Sequence, residues 1–152
     1  MKSIKANTKI PSKAVSLTDI EAKIFGITGS QEADNRENAY VALKYFDEAH
    51  QCLSEWSKEE LREFSRFIKK INSMTWNQIY KTSGRIGNKT GLGYSIHKDA
   101  AKLPNKALRD RISPDITFFE LRVTGEARAH GFRSKNTFFL IWLDRNHDIY
   151  PM

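Results

Sequence analysis

ITFFELRVTGEARAHGFRSKNTFFLIWLDRNHDIY, residues 116–150, is the stretch that decides the fold of this chain. It contains three apolar-rich runs, at residues 116–123, 127–133 and 137–143. Two turn signals, at residues 124–126 and 134–136, separate these runs. Short runs of this kind, bounded by Gly, Ser and Asn, are typical of strands joined by tight turns. The stretch therefore predicts a β-meander, with a further short strand at 149–150.

The first two runs alternate between positions that point to opposite faces of a sheet. Glu120 and Arg122 share one face of the first run, and Arg128 and His130 share one face of the second. Antiparallel pairing of consecutive strands places these four polar side chains together. Because the helices bury one face of the sheet, we expect the polar face to form an exposed, concave platform.

The sequence upstream supplies a strand and a helix ahead of the meander. Residues 39–46 predict the first strand, and Asp47 can cap a helix that continues through Trp56. Residues 16–26 predict an earlier short helix. Residues 1–16 are Lys-rich and without periodicity, which indicates a flexible basic arm.

Three further helices are expected after Trp56. Ser57 with Glu60 three residues later is a capping-box signature, and an apolar stripe follows it. A short helix is expected to begin after Ser73 or Thr75, and some helix is expected at 105–111. Together these elements predict an α+β fold: an antiparallel β-sheet, made of the C-terminal meander plus the N-terminal strand, packed against two or more helices.

Composition limits the domain organisation and the compartment. The chain has 152 residues, of which 39% are hydrophobic, and this suits one core; we expect a single domain at 17–152 after the arm. Cys52 is the one cysteine, so an internal disulfide is excluded. No stretch has the length of a signal peptide's apolar region or of a membrane span, and the sequence therefore predicts a cytoplasmic protein with no membrane partner.

The positive charge is concentrated in the second half of the chain. The formal net charge is +7, and residues 77–152 hold 13 Lys and Arg against 7 Asp and Glu. A localised excess of this kind indicates a surface for a polyanion, although a charge that serves solubility is the simpler explanation. The Gly-rich segment 81–94 is expected to be a mobile loop that can lie along a nucleic-acid backbone.

The polar residues of the meander suit metal-free cleavage of RNA. In that chemistry a base takes the proton of the 2′-hydroxyl, cations stabilise the phosphorane, and an acid protonates the leaving oxygen. His130 and His147 are the natural proton carriers, and Glu120 can serve as a base. The alternative for Glu120 is a cross-strand ion pair with Arg122 or Arg128 on a wet face. Four scattered His and one Cys predict no metal site and no cofactor.

LRVTGEARAHGF, followed by FFLIWLDRNHDIY, resembles the C-terminal half of the RelE/ParE toxin superfamily. The upstream strand and helices fit the opening of that family, so the resemblance covers roughly residues 39–150. It implies a small toxin of a toxin–antitoxin system whose nuclease members cut mRNA, usually on the ribosome, without metal, and whose partner is a cognate antitoxin protein. By match of position, candidate catalytic roles fall on Arg122, Arg128, Arg145, His147 and Tyr150, to which the residues themselves add Glu120 and His130.

Candidate RNA-binding residues are the basic side chains around this centre: Arg66, Lys70, Arg85, Lys89, Arg133 and Lys135. Two other functions stay open. One is a non-catalytic RelE/ParE-like protein that binds a protein target, as gyrase inhibitors do, or binds RNA as a regulator. The other is a domain whose basic surface binds a protein or DNA. Convergence of the Arg, His and Tyr side chains on one exposed surface would distinguish cleavage from binding.

Overall fold

A computed structural model describes residues 35–82, 91–114 and 116–150. Within these ranges the chain forms five strands and three α-helices: β1 (Tyr40–Ala42), α1 (Lys58–Asn72), α2 (Trp76–Tyr80), β2 (Ser95–Ile96), α3 (Lys106–Arg111), β3 (Phe118–Arg122), β4 (Arg128–Ser134) and β5 (Thr137–Asp144). The predicted arm at 1–16 and helix at 16–26 lie outside the described residues. None of the helices within them is long and apolar enough to span a bilayer.

The strands form one sheet in the order β1-β5-β4-β3-β2. The three predicted strands of the meander are confirmed: β3, β4 and β5 pair antiparallel through tight turns. The further strand predicted at 149–150 is wrong, since no strand forms there. The strand predicted at 39–46 is limited to Tyr40–Ala42, and it pairs with β5 in parallel orientation, so the sheet is mixed where an antiparallel sheet was expected. β2 extends the other edge by antiparallel pairing with β3, and the sequence analysis did not predict it. The α+β fold class is confirmed.

The capping signals place the helices where the sequence predicts them. The Ser57 side chain accepts from the Glu60 amide, and the Glu60 side chain accepts from the Ser57 amide, which satisfies two amides at the start of α1. Thr75 and Gln78 repeat this capping box at the start of α2. Asn105 caps α3 by accepting from an amide in its first turn.

The helix predicted from Asp47 to Trp56 is wrong, since only a 3₁₀ turn at Leu53–Glu55 forms there. The Asp47 carboxylate accepts from the Ala49 amide, but it also accepts from the Trp142 indole, 3.1 Å away, and so ties the segment to the sheet. Gln51 has φ +46, a left-handed conformation that interrupts a helix. Tertiary contacts therefore override the local cap.

Both faces of the sheet are covered. Phe67 and Ile71 of α1, with Trp76 of α2, pack on one face. Leu108 of α3 and Ile149, with other apolar residues of the segment before β3, pack on the opposite face. The expected exposed platform is therefore wrong: Glu120 is 4% exposed, and His130 and Asp144 are 0% exposed.

A β-bulge in β5 brings Asp144 to the polar face. His130 pairs with Trp142 while the next residue, Gly131, pairs with Leu140, so Ile141 is the extra residue in β5. Beyond a bulge the alternation of side chains reverses. Ile141 and Trp142 consequently face the same apolar cluster, and Asp144 lies on the face of His130.

Gly131 is required at this crossing of β4 and β5. A Cβ atom at this position would lie 1.9 Å from the Phe139 carbonyl oxygen. We expect Gly131→Ala to lower the free energy of unfolding by about 3 kcal/mol or more, because backbone must move to admit the methyl group. At Gly125 an added Cβ meets nothing within 4 Å. Gly125→Ala is the matched control, and equal urea-denaturation midpoints for the two variants would contradict the role given to Gly131.

Candidate active site

A cleft of about 460 Å³ opens where β2, β3 and the C-terminal turn meet. Its polar lining includes His97, Lys98, Glu120, Arg122, Arg128, His147 and Tyr150. β3 and β4 position three of these residues, because Glu120 pairs with His130 and Arg122 pairs with Arg128 across the two strands. We call this feature the cleft. It gathers cations, imidazoles and a phenol around one buried carboxylate.

Glu120 lies at the centre of the cleft wall. Its Oε1 is 3.2 Å from His147 Nε2 and 3.7 Å from Arg128 Nε. Its Oε2 is 3.7 Å from His130 Nδ1 and 4.0 Å from His97 Nε2. Neither Oε2 nor His147 Nε2 makes a hydrogen bond within the described residues. The 3.2 Å contact with His147 is therefore close but lacks the angle of a hydrogen bond.

The turn after β5 positions His147. Asp144 Oδ1 accepts from the Asp148 amide at 2.8 Å, and Oδ2 accepts from the Ile149 amide at 2.9 Å. These bonds close the turn and place His147 at φ +59, a left-handed conformation that histidine adopts more readily than most residues. The His147 side chain is 21% exposed. It is thus accessible from the cleft, while its ring is held against Glu120.

Two arginines supply positive charge at the mouth of the cleft. The Arg128 Nη1 donates to the carbonyl oxygens of Thr124, Gly125 and Ala127, which fixes the guanidinium against the β3–β4 turn. Burial lowers the pKa of Arg128, and the charge of Glu120 opposes that shift. The Arg122 guanidinium lies over Gly93, where a Cβ atom would be 2.8 Å from Arg122 Nη2. A glycine at φ +58 therefore permits this position of Arg122.

A second depression of about 720 Å³ adjoins the cleft, and we call it the side groove. Arg122 and Arg128 line both, so the two depressions are continuous at these side chains. Arg66 and Lys70 of α1 line the far side of the side groove. Arg66 forms an ion pair with Glu63, and both side chains are on the helix surface. Basic residues thus extend from the cleft along a path past α1.

Behind the cleft, two imidazoles and a carboxylate form a buried chain. His97 Nε2 is 2.9 Å from His130 Nδ1, and His130 Nε2 is 3.1 Å from Asp144 Oδ2. Burial acts to raise the pKa of Asp144, but hydrogen bonds from His130 and from two backbone amides outweigh it and lower the pKa. Burial and the neighbouring His130 and His147 lower the pKa of His97 to about 3. His97 is therefore neutral at neutral pH.

Tyr150 joins this arrangement from the C-terminal side. Its ring lies 4.1 Å from the His97 ring, measured between centroids, and its hydroxyl accepts from the Asp99 amide at 3.1 Å. The phenolic proton is not used in that bond, because the amide is the donor. Lys102 lies 5.8 Å from the centre of the Tyr150 ring. The phenol is thus held at a defined position on the cleft wall.

The chain matches no family model, no curated protein and no solved structure.

The cleft gathers five of the seven predicted catalytic residues: Glu120, Arg122, Arg128, His147 and Tyr150. His130 lies directly behind them and is fully buried, so it does not line the surface. Arg145 lies outside the cleft, where Glu60 holds it through two bonds of 2.6 and 2.7 Å. That hydrogen-bonded pair raises the pKa of Arg145 and lowers the pKa of Glu60.

The predicted RNA-binding residues divide into three groups. Arg66 and Lys70 line the side groove. Arg133 and Lys135 lie at the other end of β4, where the Arg133 guanidinium stacks on Trp76 at 4.4 Å and bonds to the Tyr80 hydroxyl at 2.8 Å. Arg85 and Lys89 lie outside the described residues. The structure therefore joins only the first group to the cleft.

Sequence analysis missed His97, Lys98 and Asp144. β2 has only two residues, too few for a periodic signal, so the sequence gives no strand on which to place His97. Asp144 follows the apolar run at 137–143, and that run gives no sign of the bulge that turns Asp144 toward His130. Its position directly before a turn was the one available signal, since carboxylates often bond the amides of a following turn.

Proposed function

We propose that this protein is a metal-independent endoribonuclease that cleaves mRNA, and that it acts as the toxin of a toxin–antitoxin system. The observation that supports this function is the cleft itself, where Arg122 and Arg128 lie beside His147, Glu120 and Tyr150. Cations and proton carriers within one accessible cavity are the two requirements of phosphodiester cleavage without metal. The resemblance to the RelE/ParE superfamily supports the same function.

Binding begins with the phosphate backbone. Arg122 and Arg128 stand at the junction of the cleft and the side groove, so one phosphate at this point contacts both guanidinium groups. Arg66 and Lys70 then lie beside the backbone on one side of that phosphate. Single-stranded RNA suits this path, since its bases are free to turn away from the backbone.

The cleavage step uses the 2′-hydroxyl of the RNA as nucleophile. His147 takes the hydroxyl proton, the 2′-oxygen attacks the adjacent phosphorus, and the bond to the 5′-oxygen breaks. The products are a 2′,3′-cyclic phosphate and a 5′-hydroxyl. The negative charge of Glu120, 3.2 Å from His147 Nε2, stabilises the imidazolium that forms. Arg122 and Arg128 stabilise the added charge on the phosphorane oxygens.

Tyr150 is the proposed acid that protonates the leaving 5′-oxygen. Its hydroxyl accepts from the Asp99 amide, which leaves the phenolic proton available to the leaving group. The same amide then stabilises the phenolate that forms. Arg145, which is bound to Glu60 outside the cleft, stabilises the C-terminal turn in this proposal and takes no part in the chemistry.

The partners follow from the toxin assignment. We propose mRNA, bound in the ribosome or free, as the substrate, a cognate antitoxin protein as the inhibitor, and the cytoplasm as the compartment. A non-catalytic RNA-binding protein is the second candidate, because Arg128 is held by three carbonyl groups and lies 3.7 Å from Glu120. That function predicts binding of RNA in the cleft without cleavage.

The substrate chemistry gives a direct test. We expect the purified full-length protein to cut mRNA in a translating extract and to leave a 2′,3′-cyclic phosphate and a 5′-hydroxyl. Cleavage of free mRNA should persist in excess EDTA, which is kept out of the extract because ribosomes need Mg²⁺. A substrate with a single 2′-deoxy nucleotide at the mapped cut site should bind equally well and stay intact, because it lacks the nucleophile. Intact RNA in every condition, with measurable binding, would support the binding protein instead. Cleavage that EDTA abolishes would contradict a metal-independent mechanism.

A further inference from the structure

Glu120 Oε2 is a buried carboxylate oxygen with no hydrogen-bond donor in the described part of the chain. The Glu120 side chain is 5% exposed, so water does not readily replace the missing donor. An orphaned charged oxygen in this setting costs free energy unless a cation or a donor meets it. The atoms that face it are the two ring nitrogens His97 Nε2 and His130 Nδ1.

Neither position of the proton that the two imidazoles share gives Glu120 Oε2 a hydrogen-bond donor. Asp144 accepts from His130 Nε2, which leaves His130 Nδ1 to share one proton with His97 Nε2, 2.9 Å away. Whichever of these two nitrogens holds the proton, the N–H bond is directed at the other ring and not at Glu120. Glu120 Oε2 stays 3.7 and 4.0 Å from these nitrogens, too far for a hydrogen bond to either.

We propose that His97, Glu120 and His130 form a binding site for a divalent transition-metal ion, with Zn²⁺ the ion that fits best. Their three ligand atoms lie within 4.8 Å of one another. Zn²⁺ bound at about 2.0–2.2 Å from nitrogen and oxygen ligands holds those atoms about 3.4 Å apart. The observed separations of 2.9, 3.7 and 4.0 Å bracket this value, so small shifts complete the set: the two imidazoles move apart and the Glu120 carboxylate moves toward them.

The surroundings of the three ligands suit an ion. Asp144 binds the far nitrogen of His130, and a carboxylate in this position fixes the tautomer of a metal-binding imidazole and raises its basicity. His97 is 6% exposed, and burial favours the neutral ring whose lone pair a metal ion requires. Two imidazoles with one carboxylate favour Zn²⁺ and its neighbours over Mg²⁺ or Ca²⁺, which prefer oxygen ligands.

The ion would be reached from the cleft. His97 and Glu120 line the cleft, while His130 and Asp144 lie behind them. His147 Nε2 also lacks a hydrogen bond within the described residues and lies 3.2 Å from the other oxygen of Glu120, which makes it a candidate for a fourth ligand. The metal site is an addition to the proposed nuclease and shares Glu120 with it. Zn²⁺ that also binds His147 occupies the proposed base and therefore inhibits cleavage.

Ring-nitrogen NMR of the full-length, tag-free protein tests the site without any change to the sequence. Zn²⁺ added to EDTA-treated, dialysed protein should saturate at about one ion per chain and shift His97 Nε2 and His130 Nδ1, while His130 Nε2 keeps its proton. His50, which lies outside the cluster, is the internal control. Saturation without a shift at His97 and His130, or no binding, would overturn the proposal.

Isothermal titration with Zn²⁺ gives the matched test of the carboxylate. We expect Glu120→Gln to weaken binding by at least about 10–100-fold, the loss typical of even an outer hydrogen-bond partner of a metal ligand. Glu60→Gln, which alters a carboxylate outside the cluster, should leave the affinity unchanged. Equal affinities for the two variants would contradict the site. Neither measurement depends on RNA cleavage, so failure here and failure of the nuclease in EDTA are separate results.

Discussion

His147→Ala is expected to lower the rate of RNA cleavage by about 10²–10⁴-fold, the range that a positioned general acid or base contributes. The His147 ring is 21% exposed, its contact with Glu120 is 3.2 Å, and the backbone bonds of Asp144 shape the turn that presents it. Those backbone bonds survive the substitution, so the turn should keep its conformation. The measurement is the single-turnover rate on the mapped mRNA site, with RNA affinity determined separately.

Two further variants test whether a lower cleavage rate in His147→Ala reflects the loss of a catalytic group. His50→Ala removes a half-buried imidazole that does not line the cleft, so the rate should stay within a factor of about two. Tyr150→Phe keeps the ring that packs against His97 and removes only the hydroxyl, so a loss of about 10²-fold would identify the phenol as the acid. Full activity in His147→Ala, with the protein folded, would disprove the proposed base.

Asp144→Ala should lower the free energy of unfolding by about 3–5 kcal/mol, the usual result of removing one partner of a buried pair. Asp144 is 0% exposed and accepts from His130 and from the amides of Asp148 and Ile149. All three donors lose their acceptor in the variant. Asp148→Ala, in the same turn but with an exposed side chain, is the control and should change stability by less than about 0.5 kcal/mol. Equal urea-denaturation curves for the two variants would contradict this prediction.

The same carboxylate gives a pH dependence with a defined sign. The pKa of Asp144 is lower in the fold than its ordinary value of 3.8. Protons therefore bind the unfolded chain first as the pH falls, and the stabilisation from Asp144 is complete above that value. It is lost as the pH falls from about 4 through the lower pKa of the folded state. In EDTA, the difference in unfolding free energy between wild type and Asp144→Ala should shrink over this window.

The buried polar face changes how the meander works. On an exposed platform, Glu120 and Arg128 would form a solvated ion pair of small energetic value. In the structure, the segment before β3 covers that face, and among the described residues its polar side chains reach the surface at the edge, in the cleft and at the side groove. Charges at a partly enclosed site interact more strongly than charges in water. The covering segment is thus what makes the polar face suitable for catalysis or for metal binding.

Local patterns in the sequence determined the strands and turns of the meander and the caps of α1 and α2. The alternation in residues 116–133 predicted that Glu120, Arg122, Arg128 and His130 share a face, and the register confirms it. The Ser57 and Thr75 caps predicted the starts of two helices. These features depend on contacts between residues close in sequence or in consecutive strands, which a pattern can reveal.

Only the tertiary structure decided which face was covered, where Asp144 points and what His97 contacts. The segment that holds His97 and α3 shows no strong periodicity, yet it folds over the sheet and adds β2 beside β3. The bulge at Ile141 reverses the alternation of β5 and brings Asp144 to His130. Each depends on packing between residues far apart in the chain, and a sequence pattern reports only the periodicity of its own segment. For that reason the pattern of residues 116–150 predicted the three strands that carry most of the site. The burial of the site and the contact between His97 and His130 depend on packing with other segments of the chain.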